Sequence, residues 1–512
     1  MLGAVNPTLA PSTPLPPMTH ICTAITGSTN EECLAQMRRA APHSDLLEIR
    51  LDSISRPEVA ELIEAAPRPV ICTNRPRREM GKFKGDEAER IALLEEAEAC
   101  GADYIDIELD AVASFKHTGK AKRIVSYHNF EETPPDLQSI HSACIDAGAD
   151  IAKLAVFAHS ITDNAAMFRL LVDAGKPTIG LCMGEHGQIS RILAPKFGSF
   201  LTFASVGSGL ESAPGQIEAT TLIDLYRFRS ITSDTPVYGV VGNPVGHSMS
   251  PNIHNAAFDE RGIDAVYVPL LVNDVSEFLA AFRDLGFNGF SVTIPHKEAS
   301  IPCLDEIEPL SEKIGAINTI HNREGKLAGS NTDLDAALSA IEEELVKAGA
   351  PVESAFSGKR VLVVGAGGAG RAIAYGIRDR GADVTVANRT AERAIRLAED
   401  IGCRGVSLRS ILKDGFDADV FVNASSVGMH PDEDDTPIPV DLLKPEMLVF
   451  DAVYNPIQTR LLREARGVGC AVVTGFEMFV RQAIGQFELW TGVDAPKELM
   501  ADVVRKRLEA AH

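Results

Sequence analysis

Residues 149–156 read ADIAKLAV, a run of small and aliphatic side chains broken by one lysine, Lys153. Without the lysine, the run is a strand buried on both faces, the kind found inside a parallel sheet. Lysine rarely enters such a place unless it is paired or reactive. Two readings stand. The side chain can lay its stem on apolar surface and keep its ammonium in water. Alternatively, it is a desolvated amine that attacks carbonyl groups.

Runs of the same kind recur through the first half, about every 20–30 residues, each followed by a helix-like pattern. They are ICTAIT (21–26), LLEIR (46–50), PVICTN (69–74), YIDIEL (104–109), RIVSYH (123–128), IAKLAV (151–156), PTIGLC (177–182) and LTFASV (201–206). Eight candidate strands alternating with helices are the rhythm of a (β/α)8 barrel. A doubly wound sheet would carry a glycine-rich phosphate loop early, and none is present there.

The chain has 512 residues, 45% apolar and 23% charged, ordinary values for a globular protein with several domains. A net charge of −22 argues against nucleic-acid or anionic-membrane partners, which need a basic footprint. Any anionic substrate must then be held by locally placed arginine or lysine. Nine cysteines without paired spacing suit a reducing compartment and offer no metal signature. No apolar run reaches membrane-spanning length. Residues 1–19 are proline-rich, without the basic and apolar regions of a secretion signal, and read as a disordered leader. The expected location is cytoplasmic, with an organellar address still open. A monomer is compatible with all of this.

The barrel is expected over 20–228, and the polar stretch 229–236 reads as a linker. A new β-rich segment starts at 237, and a strand, a glycine turn and a helix follow from 360.

In a barrel, chemistry sits at the C-terminal ends of the strands. The polar residues there are Glu48, Arg50, Arg75, Glu79, His128, Lys153, Arg191, Ser212 and Gln216. Singly, each has a plain structural explanation, an ion pair for Arg50 or a satisfied core position for His128. Together they supply a carbonyl-attacking amine, an acid/base and an anion clamp. The stretches EIRLD, YHNF, ADIAKLA, MGEHGQISR, LTFASV and SAPGQI resemble the type I 3-dehydroquinate dehydratases over most of 20–225. That resemblance implies Lys153 as the Schiff-base nucleophile, His128 as general acid/base and Glu79 as the group that orients it. It implies Arg191, Ser212 and Gln216 on the substrate carboxylate, with Glu48, Arg50 and Arg75 on its hydroxyls.

In the second half, VLVVGAGGAGRA (361–372) places glycines between an apolar strand and a helix, a setting whose amides can cradle a pyrophosphate. The candidate contacts are Gly365, Gly367, Gly368, Ala369 and Gly370. A tight turn is the plainer reading. The next strand ends in Asn388, Arg389 and Thr390, with Arg393 one turn on, where an NAD site would usually place an acidic residue. Two arginines suit a 2′-phosphate, hence NADP. Upstream lie Ser248, Ser250, Thr293, Lys297, Asn318 and Asp333. A lysine and an aspartate that meet can share a proton during carbonyl reduction, or form an ordinary surface pair.

These motifs resemble the shikimate dehydrogenases over 237–500. The resemblance implies that Ser248, Ser250, Thr293, Asn318, Tyr454 and Gln482 contact substrate. It makes Lys297 and Asp333 the proton-transfer pair and adds Gly475 to the cofactor contacts. It also implies a substrate-binding domain over 237–335, completed by helices over 475–512, and a Rossmann domain over 336–474. Together the resemblances imply 3-dehydroquinate, 3-dehydroshikimate and shikimate as small-molecule partners of two consecutive reactions. The alternatives are a quinate-preferring dehydrogenase half and a non-catalytic quinate or shikimate sensor.

Overall fold

The computed structural model describes residues 18–207 and 209–510, so nearly all of the expected leader lies outside the described residues. The chain divides into two compact units. One holds the residues up to His159 and Ala166–Asp234; the other runs from Thr235 onward and includes Ser160–Ala165.

In the first unit, the eight expected runs are strands β1 (His20–Ile25), β2 (Leu46–Arg50), β3 (Val70–Thr73), β4 (Tyr104–Glu108), β5 (Lys122–Asn129), β6 (Ile151–Phe157), β7 (Thr178–Met183) and β8 (Leu201–Ser205). A short β9 (Ile217–Glu218), which the sequence reading lacks, pairs with β8. The sheet order is β7-β6-β5-β4-β3-β2-β1-β8-β9, with parallel pairing. The curl closes where β8 returns to β7, the Phe200 amide donating to the Thr178 carbonyl at 2.7 Å.

Strand periodicity explains where the chemistry sits. Alternate residues share a face. Leu46, Ile71, Ile124, Ile151, Ile179 and Leu201 pack into one apolar cluster. Two residues further along the same strands come Glu48, Thr73, Ser126, Lys153, Leu181 and Phe203. A floor of aliphatic side chains therefore fills the barrel. The next layer is largely polar, at the ends from which the connecting loops depart towards the helices.

The second unit contains two sheets. The first joins β10 (Val237–Gly242), β11 (Val266–Leu271), β12 (Phe287–Val292), β13 (Glu306–Ile307), β14 (Thr319–Arg323) and β15 (Lys326–Ser330) in the order β11-β10-β12-β14-β15-β13. It is mixed, because β14 runs antiparallel to both β12 and β15. The second is all parallel. It joins β16 (Arg360–Val364), β17 (Asp383–Asn388), β18 (Arg404–Ser407), β19 (Val420–Asn423), β20 (Leu448–Asp451) and β21 (Ala471–Val473) in the order β18-β17-β16-β19-β20-β21. The order reverses between β16 and β19, which opens a crevice at the strand ends.

The helices Gly475–Thr491 and Lys497–Ala510 return to the first of these sheets. Phe487, Trp490, Met500 and Val504 join Ile253 and Phe258 of the helix Ser250–Glu260 in one core. The division drawn at 335/336 falls inside a single helix, Thr332–Lys347, because its face of Leu334, Leu338 and Ile341 is continuous.

Candidate active sites

The mouth of the barrel holds a recess open to solvent. Glu48, Arg50, Arg75, Glu79, His128, Lys153, Arg191, Ser212 and Gln216 all line it, together with Met80, Phe130 and Phe203. The structure thus brings together all nine barrel residues singled out from sequence.

Lys153 is only 4% exposed. Its Nζ donates to Asp106 Oδ2 at 2.7 Å and lies 3.8 Å from Glu48 Oε1 and 4.4 Å from the centre of the Phe203 ring. Snorkelling is excluded, since the head as well as the stem is buried. His128 stacks on Phe130, and its Nδ1 lies 2.9 Å from Glu79 Oε2, though off the direction of a hydrogen bond. Burial, with the cations of Arg75 and Lys153 nearby, pushes the His128 imidazole well below its ordinary value. It is therefore neutral near pH 7 and free to accept a proton. Burial raises the Glu79 carboxyl, with Asp106 adding to the effect and Arg75 opposing it.

Arg75 is more committed than a free hydroxyl-binding group would be. Its Nη1 donates to Glu79 (3.1 Å), Glu108 (2.7 Å) and Ser126 (3.0 Å), and its Nη2 to Asp106 (2.8 Å). Arg50 is held in a fork by Asp52, both contacts at 2.8 Å. Arg191 is the opposite case. It is buried to 1%, reaches only the Phe203 and Pro214 carbonyls at 3.4 Å, leaves Nε unpartnered and has no carboxylate beside it among the described residues. Burial drags its guanidinium down to about 10. A buried cation without a counterion, facing a recess, is a place for an anion. Ser212 and Gln216 brace each other beside it, Gln216 Nε2 donating to Ser212 Oγ at 3.0 Å and Oε1 accepting from the Ser212 amide at 2.7 Å.

Sequence reading missed Asp106 and Glu108, the acidic partners of Arg75 and Lys153. The signal was there. In YIDIEL two acids alternate with isoleucines, which puts both on the inward face of β4.

In the second unit, Lys297 Nζ donates to Asp333 Oδ2, and both side chains are largely buried, so this is not a solvated surface pair. Asn318 accepts from the Thr332 amide at 2.8 Å and donates to the Thr332 hydroxyl at 2.9 Å; that hydroxyl in turn donates to the Gln482 carbonyl at 3.1 Å. Behind Asn318 runs a buried relay that the sequence reading also missed. Tyr267 donates to Ser291 (2.6 Å), Ser291 to Gln486 (2.7 Å), and Gln486 to the Asn318 carbonyl (3.1 Å). The Ser250 amide donates to Ser248 Oγ at 3.2 Å at the start of the helix Ser250–Glu260. The Thr293 methyl occupies the space that a side chain at Gly242 would need. Tyr454 stacks on Phe479 at 4.3 Å, and burial pushes its phenol up to about 12. Among the described residues no hydrogen bond joins Ser248, Thr293 or Tyr454 to the Lys297–Asp333 pair.

The loop after β16 fits a dinucleotide. Gly365 has φ +119°, and a Cβ there would lie 2.6 Å from the Ala424 carbonyl. Gly367 caps the helix Gly368–Asp379 with open space before it. A Cβ on Gly368 would meet Lys297 at 2.9 Å, so the glycine loop and Lys297 are neighbours. Ala369 and Gly370 continue this first turn, and Gly370 packs against the Gly365 carbonyl. At the end of β17, Asn388 donates to the Thr390 carbonyl at 3.0 Å, while Arg389 and Arg393 are exposed and make no ion pair among the described residues. Two unpaired guanidiniums with no acid at the strand end match a 2′-phosphate. Gly475 starts its helix against the Val453 carbonyl, where no side chain fits.

Family models match in chain order: type I 3-dehydroquinase over residues 21–233, the shikimate dehydrogenase substrate binding domain over 240–320, shikimate / quinate 5-dehydrogenase over 347–430 and the shikimate 5′-dehydrogenase C-terminal domain over 475–505. The bifunctional 3-dehydroquinate dehydratase/shikimate dehydrogenase, chloroplastic, of Arabidopsis thaliana is 46% identical over 509 residues, covering 95% of this chain and 84% of that one. The shikimate dehydrogenase (NADP(+)) of Methanosarcina acetivorans is 41% identical over 286 residues, covering 54% of this chain and 99% of its own. Among solved structures, shikimate 5-dehydrogenase from Thermus thermophilus, in complex with NADP(H) and shikimate, is 38% identical and covers 53% of this chain and 99% of its own, with a TM-score of 0.47. With 46% identity across nearly its whole length, and models for both halves matched in order, the chain belongs to the family of bifunctional 3-dehydroquinate dehydratase/shikimate dehydrogenases.

Proposed function

We propose that this chain catalyses two consecutive steps of the shikimate pathway. The barrel dehydrates 3-dehydroquinate to 3-dehydroshikimate, and the second unit reduces that ketone to shikimate with NADPH. The observation that carries the first half is the convergence of Lys153, His128 and the unpaired Arg191 on one recess.

Arg191 takes the substrate carboxylate, with Ser212 and Gln216 beside it, while Glu48, Arg50 and Arg75 face the ring hydroxyls. Lys153 attacks the ketone and forms an imine. The protonated imine draws electrons from the adjacent carbon, whose proton passes to the neutral His128. Glu79, 2.9 Å from Nδ1, sets the imidazole's orientation and stabilises the imidazolium once formed. His128 then returns a proton to the departing hydroxyl on the same face, a syn elimination.

In the second unit, Ser248, Ser250, Thr293, Asn318, Tyr454 and Gln482 hold the substrate. NADPH, when bound over the glycine loop, supplies the hydride. Lys297 protonates the ketone oxygen as that oxygen takes on charge, and Asp333 holds the ammonium in place. Arg389 and Arg393, with Asn388 and Thr390, read the 2′-phosphate. The proposed domains are the barrel over 20–228, a linker over 229–236, a substrate domain over 237–335 completed by 475–512, and a cofactor domain over 336–474. The proposed compartment is the cytoplasm; an organelle is the alternative, because the Arabidopsis relative is named chloroplastic. No described helix is long and apolar enough to cross a membrane.

One cuvette tests the function. Purified protein with 3-dehydroquinate alone is expected to raise the ultraviolet absorbance of the conjugated enone, and NADPH added next is expected to consume both signals. An enone that persists while NADPH is untouched would refute the reductase half. No enone at all would return the barrel to a binding role.

A further inference from the structure

We propose that Asp106 is a catalytic residue of the dehydratase half, the fixed counterion that keeps the Lys153 nitrogen positively charged both as ammonium and as protonated imine. The inference rests on Lys153 being the imine-forming residue.

Asp106 is fully buried on the inward face of β4. Its two oxygens have separate partners. Oδ1 accepts from Arg75 Nη2 at 2.8 Å and from Ser126 Oγ at 2.7 Å, while Oδ2 accepts from Lys153 Nζ at 2.7 Å. Two donors on one oxygen hold the carboxylate still and aim the other at the reacting nitrogen. Burial alone would raise its pKa, but the cations of Arg75 and Lys153 outweigh burial and hold the carboxyl well below the usual carboxylate range. It is thus a poor base and a persistent anion. The Phe203 ring, 4.4 Å from Nζ, is a second feature that favours a cation there. Glu48 is further off at 3.8 Å and already accepts the Thr73 hydroxyl at 2.9 Å.

The chemistry needs such a partner. The ammonium first gives up one proton so that the free amine can attack the ketone, and protons taken up by the carbinol oxygen let it leave as water. The net change is ammonium plus ketone to protonated imine plus water, with the overall charge conserved. The adjacent C–H bond then breaks, its proton goes to His128, and the electron pair runs to nitrogen to give a neutral enamine. The pair returns as the C–O bond breaks and the hydroxyl leaves with the proton from His128. Water adds to the imine carbon, releases the ketone product and restores the ammonium. The nitrogen is cationic at both ends of the elimination. A fixed anion beside it therefore enlarges the population of the form that draws electrons.

The test is the full chain carrying Asp106→Asn, followed by enone absorbance across pH and by borohydride trapping with 3-dehydroshikimate. An opposite charge at this range moves a titration by about 1–3 units. The alkaline limb of dehydration is expected to move down by that amount, with kcat at about pH 8 at least about tenfold lower. Lys153 should still be labelled at about pH 6, which shows that the site is intact. An unmoved limb with kcat within about threefold of the wild type would overturn the counterion role. Failure of the Lys153 reading looks different, because the wild-type chain would then give no label on Lys153. Should the asparagine variant not fold, Ser126→Ala, which loosens Oδ1 and keeps the charge, is expected to move the limb in the same direction by less. No movement there would count equally against the proposal.

Discussion

Replacing Arg191 by methionine is expected to stabilise the substrate-free protein while disabling dehydration. The guanidinium is 1% exposed and has no carboxylate partner among the described residues. Its fall of a little over two units, to about 10, reflects how strongly burial disfavours the cation. At 1.36 kcal/mol per unit, that is about 3 kcal/mol against folding, present at all pH values below the folded-state value. Methionine keeps much of the stem's packing. It forfeits two long hydrogen bonds to the Phe203 and Pro214 carbonyls, at about 0.5–1 kcal/mol each. The net gain is about 1–2 kcal/mol, or a melting temperature higher by about 2–8 °C. Calorimetry reports it. Fluorescence of Trp490, the one tryptophan, reports the second unit and should not shift with it. Losing one member of a buried charge pair costs about 2–5 kcal/mol in the bound state, so kcat/KM for 3-dehydroquinate should fall by about thirtyfold to several thousandfold. A lower melting temperature together with kcat/KM within about threefold of the wild type would refute the reasoning.

Other expectations concern single roles. Lys297→Met should lower kcat for reduction by about 10²–10⁴-fold and leave NADPH affinity nearly unchanged; equal losses in both would mark a structural residue. Arg389→Ala should raise KM for NADPH by about 10–100-fold and barely alter that for NADH, and an unchanged ratio of the two would exclude Arg389 from the 2′-phosphate. The acid limb of kcat/KM for dehydration should lie below about 6.5, because the folded state depresses the His128 pKa and the base is lost only as pH falls through the depressed value. A limb at or above that value would contradict the assignment. The same depression means that His128 costs stability as pH falls below its unfolded value, so acid should weaken the barrel.

Much of this is legible in the amino-acid sequence alone. The eight barrel strands could be read because parallel strands buried on both faces are nearly continuous apolar runs, as in Ile151–Phe157, where Lys153 is the one charged residue. Their C-terminal ends named the residues that line the recess. The commitment of Arg75 to four acceptors was not legible, because it depends on β3, β4 and β5 standing side by side. Asp106 and Glu108 escaped because acids inside a strand-like run look like solvent-facing alternation until the strand is known to face a barrel interior. The β14–β15 hairpin was also passed over. Its turn, Arg323-Glu324-Gly325-Lys326, places Glu324 at φ 53° and Gly325 at φ 84°, a tight reversal carried by one glycine. The relay from Tyr267 to Asn318 joins residues far apart in the chain, and no local pattern marks it.

The most direct measurement is borohydride reduction of the chain in the presence of 3-dehydroshikimate, followed by peptide mapping. The mass of the reduced product should appear on the peptide that contains Lys153, and dehydration should be lost in proportion to that label. A label on any other lysine, or no label from a chain that still forms the enone, would contradict the imine mechanism.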